Sequence, residues 1–442
     1  MSKASLYYCF LFCLLTYILQ AQVNGRRPFL GIQMDAITED TKRIMELPEV
    51  KGVLISRVIP GSTAEKIGIK KGDVLLKIND HEINSPAEGS TYVASQAGGS
   101  KFTYELIRDK KKIIGKSVFI SMPEEHYPGL DVVYTDVTSR TGWERIILTK
   151  PNGKTSKLPL VVFLTGIGCY SLDSPFDTTK PEIQMLNKLS RAGYMCARVE
   201  KPGMGDNVGK SKKCEEIGFN DEVDMYVKAV NKLKKRDDVD SNSVYLFGHS
   251  MGGVIAPIVS NETSIKGIVA YGTIGSAFID YMNKTRRTIA EAYNMPPDSA
   301  DMFVKDCTEC SAYYFVDKMT TLQAAAKKPI CKDYLSVFDY RSRVYNDEMY
   351  AANIPAEWKT FSGKALLMWG ASDYISARED HKIITDAINY FHPGHAEFEE
   401  MPNTTHEMFY ASNFQEARVY REKGGTYNAE LGTAVLQWLQ KN

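Results

Sequence analysis

Neither sign of charge is in excess in this chain: 54 Lys and Arg stand against 54 Asp and Glu in 442 residues. A balanced surface sets up no net field toward a polyanion, so nucleic acid is not an expected partner, and Lys110-Lys-Lys112 reads as a solvated hairpin tip. Long apolar runs are also scarce. The run over residues 6–19 is too short to cross a bilayer, which takes roughly 20 residues. It follows Lys3 and precedes Gln20-Ala21-Gln22, the order of a secretory signal peptide over 1–21 with cleavage near Ala21. The expectation is a secreted or periplasmic protein with no stable membrane span after cleavage. Cysteine is sparse, and Cys9 and Cys13 lie inside that leader. Cys169, Cys196, Cys214, Cys307, Cys310 and Cys331 meet an oxidising compartment, where pairing is permitted. Cys307-Thr-Glu-Cys310 has the spacing of a local disulfide and reads as structural. It has no partner histidine for a zinc site. No metal and no cofactor is expected. Cys196, inside the strand-like Tyr194-Met-Cys-Ala-Arg-Val199, reads as a buried free thiol.

The length predicts two or three compact units. Residues 27–121 alternate short β-like runs with glycine turns: Phe29-Leu-Gly-Ile-Gln33, then Gly52-Val-Leu-Ile-Ser-Arg-Val-Ile-Pro-Gly61, a short helix over Ser62-Thr-Ala-Glu-Lys-Ile-Gly68, and Lys71-Gly-Asp-Val-Leu-Leu-Lys-Ile-Asn79. This order resembles a PDZ domain in the circularly permuted form of bacterial high-temperature-requirement and tail-specific proteases. The resemblance implies that the amides of Leu30, Gly31 and Ile32 hold a peptide's terminal carboxylate while the peptide adds as a strand, with a groove helix near Ser90-Thr-Tyr-Val-Ala-Ser-Gln96. Residues 122–129 are polar and proline-containing, and read as a linker.

From 130 to 442 the pattern changes. Two strands separated by a turn, over 130–135 and 144–149, open a region in which strand and helix signals alternate, which predicts a mainly parallel sheet covered on both faces. Within it, Gly248-His-Ser-Met-Gly-Gly253 stands between the apolar run Val244-Tyr-Leu-Phe247 and the helix-like Val254-Ile-Ala-Pro-Ile-Val259. A strand, a tight turn and a helix with Ser250 at the apex form a nucleophile elbow, whose glycines avoid collision with the neighbouring strand and helix. A serine hydroxyl needs a base, and the base needs an orienting acid. Of the seven histidines, His406 sits best, in the loop after Ala396-Glu-Phe-Glu-Glu-Met401. Asp373 follows the strand at 365–369 and completes the order nucleophile, acid, histidine; Asp380 is the alternative, further along on a helix. The oxyanion amides are expected at Met251 and, in Thr165-Gly-Ile-Gly168, at Ile167. Cys169 follows that loop and Cys214 lies on another loop expected at the same sheet edge, which predicts a disulfide between them that stiffens the oxyanion hole.

These residues together resemble the α/β-hydrolase family, and within it the serine aminopeptidase and monoacylglycerol-lipase-like group. The resemblance implies an α/β-hydrolase fold, a doubly wound and mostly parallel sheet with a helical lid at about 275–361, preceded by the small β-rich PDZ-like unit. Aromatic residues of that insertion (Phe278, Tyr281, Tyr293, Phe303, Tyr313, Tyr314, Phe315) line an acyl or peptide pocket or, for most of them, the lid's own core. The function that follows is a serine hydrolase acting through an acyl-enzyme on a carboxylic ester or thioester, with the PDZ-like unit binding protein C-termini or gating substrates. A peptidase is the second reading, with Glu200 and Asp206 as anchors for a substrate amino group. A third makes the PDZ-like unit the functional part and the hydrolase domain a scaffold.

Overall fold

The structure, a computed structural model, describes residues 25–47 and 49–442; the expected leader over 1–21 lies outside them. The chain divides into two compact units. One comprises residues up to Glu124 together with Gly205–Ser211; the other comprises Glu125–Met204 together with Lys212–Asn442.

The first unit is an antiparallel β-structure. Its elements are β1 (Ile32–Ala36), α1 (Glu39–Met45), β2 (Val53–Val58), α2 (Thr63–Lys66), β3 (Val74–Ile78), β4 (His81–Glu82), α3 (Pro86–Ala94), β5 (Lys101–Arg108) and β6 (Lys111–Val118). The sheet order is β1-β2-β3-β5-β6, with β4 on β3. Asp109 and Lys110 both adopt positive φ, 49° and 63°, so the basic run sits at the β5–β6 turn. The strand anticipated from Phe29 begins only at Ile32, because Gly31 adopts φ +69° and breaks the extended backbone. The groove helix α3 starts at Pro86, earlier than the anticipated Ser90, since Ser85 caps it through the Glu88 amide at 3.2 Å. Val53, Ile55, Leu75, Ile83 and Phe102 fill the core.

The second unit carries an eight-stranded sheet. In chain order its elements are β7 (Leu130–Ser139), β8 (Gly142–Pro151), β9 (Leu158–Leu164), α4 (Pro181–Arg191), β10 (Met195–Val199), α5 (Phe219–Leu233), β11 (Val239–His249), α6 (Met251–Thr263) and β12 (Gly267–Tyr271). Then come α7 (Phe278–Ala292), α8 (Pro297–Ser311), α9 (Thr321–Lys327), α10 (Cys331–Leu335), α11 (Arg343–Ala351) and α12 (Ile354–Lys359). The chain closes with β13 (Lys364–Gly370), α13 (Arg378–Phe391), β14 (Ala396–Met401), α14 (Phe414–Lys423) and α15 (Ala429–Lys441).

The strand order is β14-β13-β12-β11-β9-β10-β8-β7. Strands β9 to β14 pair in parallel, while the β7–β8 hairpin joins β10 antiparallel. Central strands such as β12, Gly-Ile-Val-Ala-Tyr, are buried at every position, as a sheet covered on both faces requires. This is an α/β-hydrolase fold, preceded in the chain by a β-rich N-terminal unit. Helices α7 to α12 form the insertion between β12 and β13.

Residues 125–129 of the anticipated linker fold into this unit. Glu125 is buried against Arg198, whose two terminal nitrogens reach its carboxylate at 2.9 and 2.5 Å, and Tyr127 donates to it at 2.9 Å. A guanidinium buried on β10 needs a carboxylate, and this segment supplies it.

Two disulfides occur among the described residues. One joins Cys169 to Cys214; the other joins Cys310 to Cys331. The anticipated local Cys307–Cys310 pair is therefore corrected: both residues lie in α8, Cys310 is bonded to Cys331 at the start of α10, and Cys307 is a buried free thiol. Cys196 is also free and buried. Among the described residues no helix is long and apolar enough to cross a membrane.

Candidate functional site

In a parallel sheet the loops at the strand C-termini share one edge, and five of them matter here. Ser250 follows β11, Asp373 follows β13 and His406 follows β14, while the Thr165–Gly168 stretch follows β9 and Lys201 follows β10.

Ser250 has φ 55° and ψ −122°, a backbone conformation that L side chains rarely adopt and that rigid surroundings must hold. Its N–H donates to the Tyr271 carbonyl at 2.9 Å, and its own carbonyl accepts from Gly253 N at 2.9 Å. The flanking glycines are sterically required. A Cβ on Gly248 would stand 2.5 Å from the Gly252 carbonyl oxygen, and one on Gly252 would overlap the Leu164 carbonyl of β9. The turn is therefore pressed between its own helix and the adjacent strand.

Asp373 and His406 meet because two loops touch. A Cβ at Gly370 would collide with the Thr404 carbonyl, so only glycine lets the loop after β13 approach the loop after β14. His406 Nδ1 then lies 2.9 Å from Asp373 Oδ2. The carboxylate is fully buried and fully satisfied. Oδ1 accepts from the amides of Ile375 at 2.7 Å and Ser376 at 2.9 Å, and Oδ2 also accepts from Ser376 Oγ at 2.6 Å. Burial alone would raise its pKa, but His406 and these donors outweigh burial and hold it at about 2. Burial likewise disfavours the His406 imidazolium, yet the Asp373 charge prevails and raises that pKa above the ordinary 6.5. With Nδ1–H pointed at a carboxylate, Nε2 is left as the proton acceptor.

Gly272 links this pair to the elbow. It follows the Tyr271 that holds Ser250, and a Cβ there would sit 3.0 Å from His406 Nδ1 and 3.2 Å from Asp373 Oδ2. Ser250 Oγ and His406 share no hydrogen bond among the described residues, a looseness common before substrate is bound. Asp380, the other candidate acid, is engaged elsewhere: it accepts from Ser276 Oγ at 2.7 Å and Lys284 Nζ at 2.9 Å.

Around the oxyanion candidates, the amides of Met251 and Ile167 donate to no group among the described residues. Gly166 abuts the elbow, and a Cβ there would lie 3.2 Å from Ser250 Cβ. The Cys169–Cys214 disulfide begins two residues beyond Ile167.

Several further residues support the site. His249 Nε2 lies 2.8 Å from the His406 carbonyl, and burial with the neighbouring imidazole pushes its pKa down to about 3, so it is a neutral donor that fixes the His406 backbone. Tyr271 Oη donates to the Thr405 carbonyl at 2.5 Å. His381 Nε2 accepts from the Thr273 amide at 3.0 Å. Lys201, Glu222 and Arg341 form a buried ion cluster behind the oxyanion loop. His249 lies within the elbow motif, and Lys201 within the stretch Arg198-Val-Glu-Lys-Pro-Gly-Met-Gly-Asp206, which resembles the hydrolase group's proline-glycine loop after the fourth strand; nothing in the spacing marks the others.

The two carboxylates considered as amine anchors already have partners. Glu200 Oε1 accepts from Ser171 Oγ at 2.7 Å and Asp173 N at 2.8 Å; Asp206 accepts from Arg26 Nη1 at 2.7 Å and the Arg27 amide at 2.8 Å. Among the insertion aromatics, Phe278, Tyr314 and Phe315 pack with Phe338 into one cluster, while Tyr293 is exposed.

In the first unit, Leu30, Gly31 and Ile32 form a tight loop into β1. Phe29, Leu30 and Gly31 turn their carbonyls to the amides of Thr63, Ala64 and Ile59 at 3.0, 3.0 and 2.8 Å. The amides of Leu30 and Gly31 donate to no group among the described residues. A Cβ on Gly31 would overlap Ser62 Cβ. The Met34 sulfur would lie 3.0 Å from a Cβ at Gly89, so this side chain packs between β1 and α3.

Residues 183–413 match the family described as serine aminopeptidase, S33, and residues 28–114 match the PDZ domain. Over 88 residues the chain is 35% identical to the periplasmic serine endoprotease DegP of Escherichia coli (strain K12), which covers 20% of this chain and 19% of that protein. It is 32% identical over 88 residues to the periplasmic pH-dependent serine endoprotease DegQ of the same organism, with the same shares covered. The chain thus spans about a fifth of the length of the curated relatives it matches. Among solved structures it is similar to Est1E from Butyrivibrio proteoclasticus, with 11% identity over 70% of this chain and 98% of that one and a TM-score of 0.43.

Proposed function

We propose, for a chain that belongs to the serine aminopeptidase, S33 family and is a serine hydrolase with an N-terminal PDZ domain, that Ser250 carries the acyl group between substrate and water. Ser250 Oγ adds to the substrate carbonyl as His406 Nε2 takes its proton. The oxygen that gains charge is met by the Met251 and Ile167 amides. Collapse expels the leaving group, protonated by His406, and leaves an ester on Ser250. Water then adds with His406 again as base, releasing the acid and free Ser250. Asp373 stays ionised throughout and stabilises the imidazolium. The observation that carries this reading is the 2.9 Å Asp373–His406 pair set beside Gly272, next to a serine held at φ 55°.

A carboxylic ester or thioester is the favoured substrate. Glu200 and Asp206 are tied to protein donors, which removes the two carboxylates considered as anchors for a substrate's amino group. The peptidase reading is favoured by the family's description. The PDZ domain supports capture of protein C-termini through Leu30, Gly31 and Ile32, and the kinship of that domain to periplasmic proteases supports an exported protein. A fluorophosphonate probe should label the wild type and not Ser250→Ala; a screen of chromogenic acyl esters against aminoacyl and dipeptidyl amides should find turnover of the esters. Absence of Ser250-dependent labelling would overturn the enzyme reading. Turnover confined to amides would replace the esterase by a peptidase.

A further inference from the structure

The oxyanion loop is gripped from behind by charged groups that the chemistry described above does not use. Three successive residues of the loop are held by side chains. The Thr165 amide donates to Tyr226 Oη at 3.2 Å, Lys201 Nζ donates to the Gly166 carbonyl, and Arg341 Nη1 donates to the Ile167 carbonyl at 2.7 Å. Glu222 ties the two cations together, with Oε1 2.8 Å from Lys201 Nζ and Oε2 2.9 Å from Arg341 Nη2. Lys201 and Glu222 are 0% exposed and Arg341 is 3% exposed, its guanidinium stacked 3.6 Å over the Tyr345 ring. Burying two cations around one carboxylate is costly, and well-packed apolar residues in their place are often as stable or more so, so stability alone gives no reason for the cluster.

Its position gives one. The Gly166 carbonyl and the Ile167 N–H are opposite ends of a single planar trans peptide. A cation fixed on that carbonyl sets the plane of the peptide and polarises the N–H on its far side, the N–H that has no partner among the described residues. The groups come from three separate elements. Lys201 follows β10, Glu222 lies on α5, and Arg341 reaches the loop from the helical insertion, just before α11.

We propose that Lys201, Glu222 and Arg341 are positioning residues that orient the Gly166–Ile167 peptide toward the developing oxyanion, and that Arg341 makes this alignment depend on the seating of the insertion. The proposal rests on the hydrolase reading. It assigns the insertion a part in the chemical step: when Arg341 withdraws, the Ile167 carbonyl and one oxygen of Glu222 lose their partner, and the loop is free to turn its amide away.

Two variants of the full chain test it, Lys201→Met and Arg341→Lys. The second keeps a positive charge beside Glu222 but cannot reach both the carboxylate and the Ile167 carbonyl as a two-armed guanidinium does. Each is assayed on a chromogenic acyl ester that the wild type turns over and titrated with an alkylboronic acid, which mimics the tetrahedral state on Ser250. Both variants should lower kcat by about a hundredfold, the cost of a misplaced catalytic group, with KM close to wild type. Boronate affinity should fall in proportion to kcat/KM. Where Lys201→Met does not fold, Arg341→Lys carries the test. An active wild type whose folded variants keep kcat within about twofold overturns the proposal and leaves the hydrolase reading standing; so does a kcat loss without weaker boronate binding. A wild type that neither reacts with fluorophosphonate nor hydrolyses any ester overturns both.

Discussion

Two loops in this chain are built to the same plan and held by different means. The loop at 29–31 of the PDZ domain and the loop at 165–167 of the hydrolase domain each direct carbonyls into protein partners and leave neighbouring amides without one. An array of free amides is the simplest anion receptor that a backbone makes. The PDZ loop is held mainly by other backbone amides, those of Ile59, Thr63 and Ala64, with the Thr63 hydroxyl added on the Phe29 carbonyl, all within some thirty residues of sequence. The hydrolase loop is held by side chains from the loop after β10, from α5 and from the insertion, drawn from as far as Arg341. A carboxylate that arrives and leaves needs a receptor of ordinary strength. A charge that exists only during reaction needs donors fixed in advance, and buried cations fix them more firmly than neutral partners do.

That comparison can be broken at several points. The largest effect is expected from Asp373→Asn, which keeps the shape but offers His406 the wrong partner. Steady-state kinetics on an ester should show kcat lower by about ten-thousandfold with the fold intact. The same variant sharpens the electrostatic reading. Asp373 raises the His406 pKa above 6.5, and protonated His406 cannot accept the serine proton, so the wild-type pH profile of kcat/KM should fall on the acid side with a midpoint above 6.5. In Asp373→Asn that midpoint should move to lower pH.

A smaller effect, confined to the other loop, is expected from Gly31→Ala. Its Cβ would overlap Ser62 and its φ is +69°, so the amide array should distort. Fluorescence anisotropy with a peptide bearing a free C-terminus should show at least about tenfold weaker binding, equivalent to ~1.4 kcal/mol. Turnover of a small ester should stay at the wild-type rate. Loss of ester turnover would mean that the two loops do not work independently.

The smallest effect on catalysis is expected from replacing Cys169 and Cys214 together by serine. The bond closes a segment of 45 residues, and urea denaturation should show a loss of about 4 kcal/mol, the loop-closure entropy for a loop of that size. If the cations and not the disulfide align the oxyanion loop, kcat should change far less than in Arg341→Lys.

Much of the candidate site was legible because it is written locally. The elbow occupies six consecutive residues whose glycines are demanded by contacts with the next helix and the adjacent strand. Asp373 and His406 were placed by strand order, since a parallel sheet brings the loops after β11, β13 and β14 to one edge. The Cys169–Cys214 bond follows from the same edge. The pairing of Cys310 with Cys331 did not follow, because it depends on how α8 packs against α10, and helix packing leaves no mark in cysteine spacing. The engagement of Glu200 by Ser171 and Asp173 was hidden for a similar reason: a carboxylate at a strand end looks the same whether it faces a ligand or a neighbouring loop.

The amino-acid order alone fixed the two kinds of unit, the tight turn around Ser250 and the chain order of Ser250, Asp373 and His406. Those features rest on steric demands between near neighbours and on hydrophobic periodicity, both of which act at short range along the chain. The tertiary structure alone decided which charges meet behind the oxyanion loop. Lys201, Glu222 and Arg341 are ordinary charged residues in sequence, and only the burial that comes with the closed fold brings both cations within 3 Å of Glu222 and withholds the water that would otherwise separate them.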